Sequence, residues 1–233
     1  GFNLDRSALK APTPTFASLG GAQALVGNLQ FAPELVNSYE IGAKYSTGPF
    51  SASVTLFRSD FSNFQLNTFN GSVYLVQSIN GCEVSLGGAD RDTSAATGAC
   101  PSGDVGYGVR AEGVEIETSL VPADNVRVSA GLTYSQAKYR ENLVGSTTGA
   151  PLDPALRKLP GNFMSNAPYA VITTSIAWTP DIGSNGLSAL FYVDSRTTTD
   201  YNTGSDLFPQ KAQDGYTIVN ARVGLRGPGQ GWS

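Results

Sequence analysis

Cys82 and Cys100 are the residues of this chain best suited to covalent chemistry, and both fall in one long polar stretch, 62–107. A thiol pair that close in a polar loop predicts a disulfide and an oxidising compartment. Closing such a loop stabilises by about 3 kcal/mol, mainly by restricting the unfolded chain. Beside them, Glu83, Asp90, Asp92 and Asp104 offer the hard oxygen donors that Ca²⁺ takes. Their spacing matches no EF-hand loop, and the glycines around them favour a solvated loop instead. The chain has no histidine. That removes Ser-His-Asp hydrolysis, histidine-based metal catalysis and a histidine pH switch from these residues. No catalytic, cofactor or metal set is expected, so the chain does not read as an enzyme. A net charge of −4 and a pI near 4.8 lack the basic stripe that nucleic acid requires.

The other polar groups recur at every second position of apolar stretches. Glu40 and Lys44, Glu115 and Glu117, Arg127, Asp194 and Arg196, and Asn220 and Arg222 each sit opposite an apolar face. They are candidates for a water-filled lumen or for contact with a domain inside it, although wet ion pairs contribute little individually. Aromatic residues collect in the polar stretches. Phe64, Phe69, Tyr74, Tyr107, Phe163 and Tyr201 are candidates for capturing a ligand, because flat rings stack with little loss of entropy. Loop packing is the plain alternative for the same rings.

The elements that must position these groups are strands. Alternating stretches at 39–45, 50–57, 109–120, 126–139, 169–178, 187–196 and 214–225 predict seven of them. Phe57 breaks the alternation, which predicts a bulge or the strand's exit there. Short turns at 46–49, 121–125, 180–186 and 226–231 alternate with long stretches at 62–107, 141–168 and 197–213. Within the second of these, 153–159 suits a short helix. Clipped turns at one end and extended loops at the other mark an antiparallel up-and-down transmembrane β-barrel, with the turns periplasmic and the loops extracellular. A mean hydropathy of −0.12 is compatible with this, since a polar lumen face masks the lipid face. Tyr45, Phe50, Trp178 and Trp232 lie near the turns; Tyr39, Tyr134 and Tyr139 lie near the loops. Two aromatic levels around an apolar band suit the two membrane interfaces. Because bacterial barrels close with even strand numbers, seven strands predict a piece of a larger barrel.

Phe31-Ala32-Pro33-Glu34-Leu35-Val36-Asn37-Ser38-Tyr39-Glu40-Ile41-Gly42-Ala43-Lys44 resembles the barrel signature of TonB-dependent receptors. In that family a Pro-Glu pair precedes a strand with Tyr-Glu-x-Gly-x-Lys. Glu112-Gly113-Val114-Glu115, Ala130-Gly131-Leu132-Thr133-Tyr134, Leu159-Pro160-Gly161-Asn162, Tyr201-Asn202-Thr203-Gly204 and Val219-Asn220-Ala221-Arg222-Val223-Gly224 are similar to further pieces of it, as is Gly1-Phe2-Asn3-Leu4. The resemblance implies a barrel of about 22 strands, plugged by an N-terminal domain and set in the bacterial outer membrane. It implies uptake of a siderophore or other bulky nutrient with energy relayed by the TonB complex. Outer-membrane lipid, the plug and the nutrient are then the expected partners, with no cofactor. All of 1–233 is expected to be barrel, about the last third of one, without plug or closing strands. Two rivals use the same strand pattern: a passive porin-like channel, and a soluble β-sandwich serving as an adhesin or carbohydrate-binding module.

Overall fold

The structure is a computed structural model that describes residues 32–69, 74–87 and 99–228. The strands in chain order are β1 (Leu35–Thr47), β2 (Phe50–Ser62), β3 (Phe64–Phe69), β4 (Tyr74–Cys82), β5 (Val105–Tyr107), β6 (Val109–Ala123) and β7 (Val126–Tyr139). They continue as β8 (Leu143–Val144), β9 (Ala170–Trp178), β10 (Asp181–Ile182), β11 (Leu187–Thr198), β12 (Tyr201–Asn202), β13 (Ala212–Gln213) and β14 (Tyr216–Arg226). Seven long strands pair antiparallel in the order β1-β2-β6-β7-β9-β11-β14, with β10 added beside β11. Every neighbour in the main sheet follows in sequence once the loop strands are set aside, which is the up-and-down meander expected. No helix among the described residues is long and apolar enough to cross a membrane.

The register carries the alternation across the whole sheet. One continuous row reads Ala43, Val54, Ile116, Leu132, Ile172, Thr197 and Thr217; the next toward the short turns reads Tyr45, Ala52, Thr118, Ala130, Thr174, Ser195 and Val219, and the one after it Thr47, Phe50, Leu120, Val128, Ile176, Val193 and Ala221. These side chains share a face that is apolar yet open, with Ile41 71% and Val223 72% exposed. Alongside these rows, the charged residues lie on the opposite face, together with most of the serines. A soluble sheet would cover an apolar face of this extent.

Phe57 differs from expectation. It pairs with Glu40 on one side and Gly113 on the other with no register shift, and β2 runs on to Ser62. Its odd position turns the ring to the polar face, over Gly113, where any Cβ would strike Phe57 and the Tyr134 carbonyl. A glycine makes room for the ring, so no bulge is needed. The register shift lies instead between Leu120 and Ala123, at the turn before β7.

The long stretches are not open loops. β3, β4, β5 and β8 form a second small sheet, because Phe64 and Leu66 alternate with polar residues just as the barrel strands do. Leu66, Ile79, Val109, Tyr139, Leu143, Leu152, Leu156 and Leu159 are buried together beneath it. The main core of the described residues therefore lies in this cap and not in the barrel wall. The short helix expected at 153–159 is a single 3-10 turn at Pro154–Leu156, capped by Asp153, whose carboxylate accepts from the Ala155 N–H at 2.8 Å. Tyr139, expected at an interface level, is 2% exposed and packs edge-on to Phe64 in the cap core. Its odd position in β7 sends it to the polar face.

Candidate functional site: an inner trough and a folded cap

On the polar face, successive rows cross the sheet below Ser38–Ser59–Ala111–Ala137. From the cap downward they begin with Glu40–Phe57–Gly113–Ser135, then Gly42–Thr55–Glu115–Thr133–Val171–Thr198–Tyr216. Below them come Lys44–Ser53–Glu117–Gly131–Thr173–Arg196–Ile218 and Ser46–Ser51–Ser119–Ser129–Ser175–Asp194–Asn220. The last is Arg127–Ala177–Tyr192–Arg222. The nine polar residues singled out in the sequence all lie on this face. Five of them, Lys44, Glu117, Asp194, Arg196 and Asn220, line one trough of about 930 Å³. Glu115 and Glu40 lie one and two rows nearer the cap, while Arg127 and Arg222 lie one row nearer the turns. Asn220 donates to the Asp194 carboxylate at 2.9 Å, and Arg222 sits 6.0 Å from the Tyr192 ring. Small hydroxyl side chains fill the space between these charges, so the trough wall is wet and smooth.

The cap is held by covalent and ionic ties. Cys82 and Cys100 are bonded, with sulfurs 2.06 Å apart, and pack with Val144. The Cys100 N–H donates to the Gly149 carbonyl at 2.8 Å, at a glycine with φ of +80° whose missing Cβ would strike the Cys100 carbonyl. The disulfide loop is thereby fastened to the 140–169 segment. Arg140 donates to both oxygens of Glu83, at 2.6 and 3.1 Å. That hydrogen-bonded guanidinium holds the Glu83 carboxyl below the usual carboxylate range. Glu83 and Asp104 meet no third acidic or sulfur ligand among the described residues, and Asp90 and Asp92 lie outside them.

The ligand-capture candidates separate into groups. Phe64 is packed between Phe61 and Tyr139, at ring distances of 6.1 and 6.4 Å. Tyr107 carries two guanidinium groups over its ring, Arg110 at 4.4 Å and Arg140 at 4.6 Å. Phe69 and Tyr74 are placed as the end pair of the β3–β4 hairpin; their side chains lie outside the described residues. Phe163 and Tyr201 come together, lining a cavity of about 670 Å³ with Arg157, Lys158, Tyr169 and Asp200. A hydrogen bond with Tyr216 raises the Tyr201 phenol above its ordinary pKa. Arg157 and Lys158 had no functional reading from sequence; the adjacent cations after the capped Asp153-Pro154 turn were the available signal. The cavity can surround a flat polar molecule, with cations and carboxylates on its wall.

The chain matches the family described as TonB dependent receptor-like, beta-barrel, over residues 6–233. It belongs to that family. Among solved structures, the TonB-dependent receptor fold recurs in the ferric yersiniabactin uptake receptor FyuA from Yersinia pestis, with a TM-score of 0.53 at 13% identity. That match covers 82% of this chain and 22% of FyuA. BauA, the ferric preacinetobactin receptor from Acinetobacter baumannii, gives a TM-score of 0.52 at 11% identity over 82% of this chain and 22% of its own. The ferric-catecholate import receptor Fiu from E. coli gives 0.50 at 19% identity, over 84% and 22%. The chain thus spans about a fifth of the length of these receptors. No curated protein matches it. The family is one of transport receptors, whose members are outer-membrane barrels. At these identities the likeness is one of fold.

Proposed function

We propose that residues 1–233 form part of the barrel wall of an outer-membrane receptor that takes up a siderophore or another bulky nutrient with TonB-relayed energy. The observation that carries this reading is the contrast between the two faces of one sheet. An open apolar band faces outward across seven strands, and a hydroxyl- and charge-lined trough of about 930 Å³ faces inward. The band fits bilayer hydrocarbon, and the trough fits a polar domain or solute in a lumen. Family membership supports the energised route. The ligand class rests on the family and on receptors of similar fold, which are described as taking ferric yersiniabactin, ferric preacinetobactin and ferric catecholate.

Within this reading, Lys44, Glu117, Asp194, Arg196 and Asn220 face the plug across the trough, with Glu40, Glu115, Arg127 and Arg222 at its margins. Phe163 and Tyr201 contact ligand in the cap cavity. Met164 and Leu207 of that cavity pack against the cap core, which gives the capture site a fixed shape.

The test is made on the full-length protein that contains this chain. Cells relying on it for ferric-siderophore growth should lose uptake when the TonB complex is deleted, while the protein remains in the outer-membrane fraction. Uptake that survives the deletion would establish a passive channel. A detergent-free, monodisperse soluble protein would remove the membrane reading altogether.

A further inference from the structure

Just beyond the apolar rows, toward the cap, the outward face changes character within two rows. The row Ile41–Leu56–Val114–Tyr134–Ala170 is apolar and aromatic. The next is Tyr39–Arg58–Glu112–Gln136, and the one above it is Asn37–Asp60–Arg110–Lys138, extended by Phe163 through an isolated bridge. Arg140 follows directly and shares the Tyr107 ring with Arg110. Four cations, Arg58, Arg110, Lys138 and Arg140, therefore meet three carboxylates, Asp60, Glu83 and Glu112.

The pairing inside this belt leaves donors spare. Asp60 serves two arginines at once, taking one N–H from Arg58 at 3.1 Å and two from Arg110 at 2.6 and 3.3 Å. A guanidinium has five N–H groups, and the Arg58 side chain is 46% exposed. Lys138 lies over the Phe163 ring at 4.4 Å, an arrangement that fixes the ammonium without neutralising it. Cations held in place by rings and by a shared carboxylate, one and two rows above a lipid-facing band, stand where headgroups lie.

We infer that this belt binds the phosphate groups of a lipid in the surrounding leaflet. The site comprises Arg58 and Lys138, with Arg110 positioned between them by Asp60 and Tyr107. The height of the belt favours a lipid phosphate over free phosphate: a headgroup is presented at that level by acyl chains lying on Ile41, Leu56 and Val114. The inference rests on the membrane reading proposed above.

The experiment uses the full-length receptor purified in a neutral detergent, with three probes: bisphosphorylated lipid A, its monophosphoryl form, and inorganic phosphate. Native mass spectrometry and thermal shift report binding. The receptor should bind bisphosphorylated lipid A more tightly than the monophosphoryl form. The double variant Arg58→Gln/Lys138→Gln should bind it on the order of twentyfold more weakly, each cation contributing roughly fivefold. Glu112→Gln, which removes a negative charge from the belt, should tighten binding a few-fold, so the reading stays testable if the double variant misfolds. Equal affinity of wild type and both variants for bisphosphorylated lipid A overturns the inference. So does equal binding of the two lipid forms by wild type. If inorganic phosphate alone reproduces the shift and its loss, the belt is a free-anion site and the lipid assignment falls. A receptor that inserts and imports normally yet does not bind bisphosphorylated lipid A sinks this inference only; failure to enter the membrane fraction sinks the membrane reading itself.

Discussion

Glu83 shows how a single side chain ties distant parts of the cap together. It follows β4, its backbone N–H donates to the Asp104 carbonyl at 2.9 Å, and its carboxylate receives Arg140 from beyond β7. Since its folded pKa is depressed, the pairing contributes in full above the ordinary carboxylate range. The contribution fades as pH falls through that range to the lower, folded value. Glu83→Gln should therefore speed amide exchange through 82–87 and 104–108 at neutral pH, and the wild-type excess protection should vanish in acid. An exchange difference that persists unchanged well below the carboxylate range would show that the ion pair is not its cause. Cys82→Ser acts on the same loop by another route, through the entropy of the opened chain. It should cost about 3 kcal/mol of cap stability in the chain-entropy model, measured as earlier loss of protease resistance in the cap.

The strands themselves were legible because their alternation is strict wherever one side is wet and the other apolar. Ile116 and Glu117 are neighbours in sequence, and the register sends one to the apolar row and the other into the trough. Ile116→Arg should then impair assembly strongly, since a midplane arginine costs about 2–4 kcal/mol, whereas Glu117→Arg should insert nearly as well as wild type. Heat-modifiable migration of the folded receptor measures this, and equal tolerance of both substitutions would reverse the facing. Phe57 and Tyr139 mark where reading from sequence stopped. Each is a large ring on the polar face, placed there by room at Gly113 or by the cap core, and neither source of room is visible in a local pattern. The cap was hidden for a related reason. Leu143, Leu152, Leu156 and Leu159 come from polar-looking sequence with no common period, and only their convergence on Leu66 and Ile79 makes a core. Leu156→Ala, at a fully buried position, should cost about 2–5 kcal/mol. The loss should show as cap proteolysis while the barrel strands stay protected, because six of the eight core residues come from outside the seven long strands.

At the scale of the molecule, the two ends of the sheet differ in kind, and on the proposed membrane reading that difference sets the orientation. The short turns at Gly48-Pro49 and Asp124-Asn125 link long strands directly, while the opposite end carries a disulfide-bonded cap with its own core. A folded, oxidised cap of this size is suited to the outside, and two-residue turns to the periplasm. In the full-length receptor, Thr147→Cys at the cap surface should react with a membrane-impermeant maleimide on intact cells. Asp124→Cys, at an exposed turn of the other end, should react only after the outer membrane is permeabilised. The native cysteines supply an internal control, since Cys82 and Cys100 are bonded to each other and should stay silent until reduced. The reverse labelling pattern would place the cap in the periplasm, where the proposed capture cavity lined by Phe163 and Tyr201 could not meet an external ligand. Labelling of both positions on intact cells would mean that the strands between them do not cross a sealed bilayer, and the outward apolar band would need a protein partner to cover it.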